Sequence, residues 1–218
     1  MTANDSEFWS VVWLSIRVSG AAVLLSSFIG IPLGGWLGLG RSRFKTFLAA
    51  VVRTGMALPP VVVGLALYIL LSRSGPLAPL GWLFTPEAMI LAQTVLALPF
   101  VLGITMSSVA GVPDDLPDQL RSLGASDRQC RWAVLREARP GVMLAVAAAF
   151  GRSISEVGAV LLVGGNIRGQ TRVLTTAILL ETSKGRFGFA LALGAALLSL
   201  ALLVNLAIVR TLGDRPLP

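Results

Sequence analysis

Five long apolar runs alternate with polar connections along this chain, and each is long enough to be read as a membrane-crossing helix. A helix needs about 20 mostly apolar residues to cross the hydrocarbon core. The runs cover about 18–39, 47–71, 87–110, 140–163 and 187–209. Trp9 and Trp13 precede the first run and suit the headgroup belt, and Arg17 is near enough to that interface to snorkel. The second run carries Arg53 near its start, where it could reach lipid headgroups, and Pro59-Pro60 in its middle. Thr85 and Pro86 read as the N-cap and first residue of the third. Between the last two runs, 173–180 is apolar but too short to cross, which predicts a re-entrant or pore-side helix.

Small residues and prolines add detail to this pattern. Gly30, Gly34 and Gly38 fall at i, i+4 and i+8, giving one helix a smooth face for ordinary close packing or for a moving interface. Pro32, Pro59, Pro60 and Pro99 interrupt three of the runs, and each frees backbone carbonyls and permits a kink.

Composition narrows the class. The chain is 55% hydrophobic and 13% charged with a net charge of +7, which places it among multi-pass membrane proteins. The basic residues lie between apolar runs, so they point to anionic lipid and orientation instead of nucleic acid. With the N-terminus outside, the cytoplasmic segments hold Arg41, Arg43, Lys45, Arg121, Arg128, Arg131, Arg136, Arg139, Arg210 and Arg215. The outer segments then hold only Arg73, Arg168, Arg172, Lys184 and Arg186, so the bias predicts N-out and C-in. The first seven residues carry acid where a cleavable signal carries base, and no signal peptide is expected. There is no histidine, which excludes a Ser-His dyad and His-based metal sites. The single cysteine, Cys130, forbids an intrachain disulfide and reads as a reduced, incidental thiol.

One polar stretch, 112–139, does not fit the alternation of spans and short connections. Asp114 and Asp115 can cap a helix, Pro117 suits its first turn, and Asp118 adds negative charge at its positive end. Leu116, Leu120 and Leu123 recur at i, i+4 and i+7 as one apolar stripe. Gly124 stands where a C′ residue would end that helix, and Ser126 with Gln129 has the spacing of a capping box for a second. The prediction is a helix–glycine–helix elbow facing the cytosol. Its leucines could lie on the membrane surface or enter a groove on a partner.

The run Asp118-Gln-Leu-Arg-Ser-Leu-Gly124-Ala125-Ser126, followed by a helix and a span, resembles the EAA loop of bacterial ABC-importer permeases. It departs at the Glu-Ala-Ala triplet, here Asp118-Gln119-Leu120, and downstream, where Arg136-Glu137 replace Leu-Pro. The resemblance implies an all-α, type I importer permease (MetI-like) fold in a bacterial cytoplasmic (inner) membrane. It implies one transmembrane type-1 domain over 11–210, between an N-terminal tail 1–10 and a C-terminal tail 211–218. It also implies a homodimer, seated in lipid, on two cytosolic ABC ATPase subunits that dock at Leu116, Asp118, Leu120, Leu123, Gly124, Ala125 and Ser126. An extracytoplasmic oxyanion-binding protein would deliver the substrate. The chain has no Gly-x-x-x-x-Gly-Lys-Ser/Thr phosphate loop, so ATP and magnesium belong to the partner and this chain is expected to bind no cofactor and to be no enzyme.

A second patch, Arg152-Ser-Ile-Ser-Glu-Val-Gly-Ala through Asn166, resembles molybdate, tungstate and sulfate permeases, and its continuation to Gly185 looks most like the tungstate branch. Arg152 and Glu156 lie i, i+4 inside a predicted span, where each alone would cost about 2.5–3.5 kcal/mol. They must pair or face water, so they either lock helix packing or serve the pathway. The pathway reading adds Ser153, Ser155 and the amides near Gly158, neutral donors that steady a dianion without trapping it. Arg168, Arg172, Lys184 and Arg186 cluster on the predicted outer side, either to attract an anion or an acidic partner or as a solvated loop. A stand-alone carrier would need no docking elbow and would favour internal repeats, of which none is evident. An intramembrane enzyme lacks its histidines, and a scaffold would not require a charged pair within a span.

Overall fold

A computed structural model describes residues 3–39, 42–113 and 115–212, which are helical with short connections and no strand among them. Helix α1 spans Ala3–Gly38, α2 Arg43–Met56, α3 Pro60–Leu71 and α4 Pro86–Ala110. The elbow is α5, Leu116–Ser122, and α6, Asp127–Glu137; α7, Arg139–Ile154, and α8, Gly158–Gly164, follow. Helices α9, Leu174–Ser183, and α10, Phe187–Leu212, complete the chain. Three helices are long and apolar enough to cross a membrane, and the bent pairs α2–α3 and α7–α8 bring the number to five.

The first helix starts well before the expected 18–39, and residues 3–10 are already helical. Arg17 does not interrupt it, because Arg17 lies on the exposed face while Val11, Ser15, Val18 and Ser19 line the buried one. Helix α4 is the central post, touching α1, α2, α3, α7 and α8. The glycine stripe of α1 meets it directly. A Cβ on Gly34 would come within 2.7 Å of the Leu102 carbonyl, and one on Gly38 within 2.7 Å of the Met106 carbonyl. The stripe therefore serves close backbone packing. Pro32 and Pro99 sit inside continuous helices, so neither breaks its span. Thr85 holds the N-cap position of α4, but its hydroxyl donates to the Trp82 carbonyl (2.7 Å) instead of capping.

Two expected spans are broken. The run 47–71 bends by 96° between Met56 and Pro60. Pro59 and Pro60 offer no N–H, and Pro59 is held extended (φ −65°, ψ 124°) by the proline that follows. The run 140–163 bends by 57° at Ser155–Val157, where there is no proline. Here other elements supply the partners that the interrupted backbone needs. Gln93 donates to the Ser153 carbonyl (3.0 Å), and Thr175 donates to the Glu156 carbonyl (2.8 Å). Broken backbone is tolerated at membrane depth only where protein or water satisfies it.

Candidate functional site: a coupling elbow and a charged helix break

The elbow is built from its caps. At the end of α5, Gly124 adopts φ +87°, and its N–H donates to the Arg121 carbonyl (2.9 Å). The Ala125 N–H reaches back to the Leu120 carbonyl (3.0 Å). Together these form a Schellman stop, which a side chain at Gly124 would strain. Helix α6 then starts on a complete capping box: Ser126 Oγ accepts from the Gln129 N–H, and Gln129 Oε1 accepts from the Ser126 N–H (2.7 Å). Arg121 ties the two helices, bonding Asp127 (3.2 Å) and Asp118 (2.9 Å). Those two carboxylates push the Arg121 guanidinium above its already high range.

The N-terminal cap of α5 departs from expectation. Asp115 occupies the N-cap position but accepts from the Gln119 amide (2.7 Å) instead of the helix N–H groups, and Asp114 lies outside the described residues. The expected single leucine stripe also divides. Leu116 packs against Val109, Val134 and Ala138, and Leu120 is half-buried. Leu123 is 84% exposed, because it lies one residue past the last turn. Trp132 on α6, which sequence reasoning passed over, is 69% exposed. Cys130 is not incidental to packing. It is buried under the elbow with its thiol toward the Pro117 and Ala125 carbonyls (3.7 and 3.9 Å). The C-terminal end of α1 is held by Lys45 of α2, which donates to the Trp36 (2.7 Å) and Leu39 carbonyls and lies 4.8 Å from the Trp36 ring.

At the α7–α8 break the predicted charged pair is present. Arg152 donates to Glu156 Oε2 (2.9 Å), and the other carboxylate oxygen accepts the Ala159 N–H at the start of α8 (3.0 Å). The Glu156 side chain is 4% exposed, against 28% for Arg152. The carboxylate thus caps the second half of the broken span. Ser153 is buried, while Ser155 is exposed and its hydroxyl turns back to the Gly151 carbonyl (2.8 Å). Gly158 opens α8, where a Cβ would come within 2.8 Å of Val61 Cγ2. Of the proposed pathway group, Arg152 and Glu156 are brought together, and Ser153 and Ser155 point to different surroundings.

The four cations of the expected outer cluster are organised around two carboxylates, one distant in sequence and one local. Arg168 and Arg172 both bond Glu7 of α1, and Arg172 also donates to Asn166 Oδ1 (3.3 Å). Lys184 (3.3 Å) and Arg186 (2.8 Å) bond the buried Glu181. They enclose a polar basin of about 290 Å³ at the opposite end of the bundle from the elbow. Four cations on two carboxylates leave it net positive, so it is a structured cluster and not a loose solvated loop.

Residues 30–212 match the family model described as the inner membrane component of binding-protein-dependent transport systems. The chain belongs to that permease family. It is 48% identical to a probable anion ABC transporter permease of Haloferax volcanii, over 90% of this chain and 87% of the relative. It is 39% identical to the tungstate uptake system permease TupB of Peptoclostridium acidaminophilum, over 95% and 91%. It is 32% identical to the molybdenum transport system permease ModB of Escherichia coli, over 99% of each chain. In fold it resembles the inward-facing MetNI methionine ABC transporter, with a TM-score of 0.78 at 20% identity and 97% of each chain covered. The permease is thus a multi-pass membrane protein of the type I importer fold, and the elbow stands between α4 and α7 of that fold.

Proposed function

We propose that this permease is half of a homodimeric, ATP-driven oxyanion importer and that tungstate is its preferred cargo, with molybdate next. The observation that carries the substrate class is the likeness, over nine-tenths of the chain or more, to permeases named for anion, tungstate and molybdenum transport. The higher identity to the tungstate permease, 39% against 32%, favours tungstate. Cytosolic ATPase subunits hydrolyse the ATP, and their closure draws the two elbows together, moving α7 and α8 between inward- and outward-open arrangements. The N-terminus faces outward, which puts the elbow in the cytosol and the basin of Arg168, Arg172, Lys184 and Arg186 toward the binding protein. Exposed apolar faces support burial in lipid and against a second copy: Val61, Val62 and Ile69 on α3, and Leu191 and Leu198 on α10, are all more than half exposed. Arg152, Ser153, Ser155, Glu156 and Gly158 form the hinge of the gate, with Glu156 capping its moving half.

The test is ATP hydrolysis by the assembled complex with its binding protein loaded with tungstate, molybdate or sulfate. Tungstate and molybdate should each stimulate hydrolysis, tungstate at the lower concentration. Stimulation by sulfate alone, or equal rates with and without oxyanion, would overturn the substrate assignment.

A further inference from the structure

A cavity of about 920 Å³ opens at the elbow end of the bundle, between α2, α4 and the α6–α7 junction. Its wall is apolar except at Arg53, Ser107, Ser108 and Glu137. The hydroxyl of Ser108 is committed to the Ile104 carbonyl (2.8 Å) and is crowded by Gly141, where a Cβ would come within 2.0 Å of it. Ser107 is exposed, and its hydroxyl has no hydrogen bond among the described residues. Arg53 likewise has neither ion pair nor hydrogen bond among them, although Glu137 lines the same cavity. It is nonetheless well placed. Val52 packs with Leu37, Leu102 and Met106, and Met56 Sδ fills the space that a Cβ on Gly103 would need (2.8 Å), so α2 is clamped to α4 on both sides of Arg53.

Arg53 is exposed on the wall of a largely apolar cavity and forms no ion pair with the Glu137 carboxylate that shares it; such a guanidinium attracts anions, and its planar fork fits two oxygens of one tetrahedral anion. We propose that Arg53 and Ser107 form a transient station for a dianionic tetrahedral oxyanion on the inner half of the pathway. This rests on the oxyanion-importer reading and adds a residue to it. The charge of Arg53 draws the anion inward, the Ser107 hydroxyl adds a neutral donor, and the Glu137 carboxylate keeps the station weak enough for release. The competing role for Arg53 is contact with lipid headgroups.

The test uses the complete complex of permease, ATPase and binding protein in proteoliposomes. Arg53→Gln should lower the initial rate of tungstate uptake about tenfold, as expected for losing one charge-assisted hydrogen bond, and Arg53→Lys should recover part of it. In a second arm, Ser107→Cys is labelled with anionic or cationic methanethiosulfonate reagents, with the parent chain and its buried Cys130 as background. The anionic reagent should react about tenfold faster with Arg53 present than in Arg53→Gln, and millimolar tungstate should slow it. Unchanged uptake in Arg53→Gln, labelling indifferent to reagent charge, or labelling that tungstate does not slow would each overturn the station. If the parent complex takes up no oxyanion although labelling is charge-selective and slowed by tungstate, the importer reading fails and the anion site stands.

Discussion

Arginine in place of Leu123 is expected to strip the ATPase subunits from the purified complex while leaving the permease folded. Leu123 is 84% exposed at the tip of the elbow, so the permease alone loses little by the change. Seated in an apolar cleft, a leucine contributes about 1.5–3 kcal/mol by burial, and an unpaired cation there adds a desolvation penalty. Together these lower affinity by a factor of about 100 or more. Gly124→Val should act by a different route. No atom lies within 4 Å of a Cβ at this position, but φ is +87°, so the valine strains the stop and redirects α6 without a clash. Co-purification of ATPase with each variant checks the prediction, with thermal unfolding as the folding control. Stoichiometric ATPase on a folded Leu123→Arg permease would sink the docking assignment.

Removing Arg152 should cost the permease more stability than removing the charge of Glu156. Arg152→Gln leaves a carboxylate that is 4% exposed with only the Ala159 N–H for company, and breaking a buried pair in this way costs about 3–5 kcal/mol. Glu156→Gln keeps an oxygen for that N–H and leaves Arg152, 28% exposed, free to reach water. The double variant should recover part of the loss of Arg152→Gln, since it removes the stranded charge. Unfolding temperatures in nanodiscs report the order. Equal losses, or a greater loss in Glu156→Gln, would contradict the asymmetry of burial.

What could be read from the sequence divides by the range of the interactions. The elbow was legible because each of its determinants is local: the Ser126–Gln129 box spans four residues and the Gly124 stop closes on Leu120 and Arg121. The Pro59-Pro60 break carries a visible signal, but two prolines permit a kink without fixing its size, which is 96°. The break at Ser155–Val157 carried no such signal. Its partners come from Gln93, 60 residues from Ser153, and from Thr175, 19 residues beyond Glu156. Glu7 was hidden for the same reason, since it meets Arg168 across 161 residues. The exposure of Leu123 follows from where α5 stops, a matter of a single residue that spacing alone does not resolve.

ATP hydrolysed by the ATPase subunits on the elbow side is expected to drive an oxyanion inward from the opposite face. Proteoliposomes holding the assembled complex test it when the binding protein and tungstate are placed on one side and ATP on the other. The expected result is tungstate accumulation inside only when ATP is available on the elbow side and the binding protein on the far side. Accumulation without ATP, or with ATP and binding protein confined to the same face, would contradict ATP-driven import across the bundle.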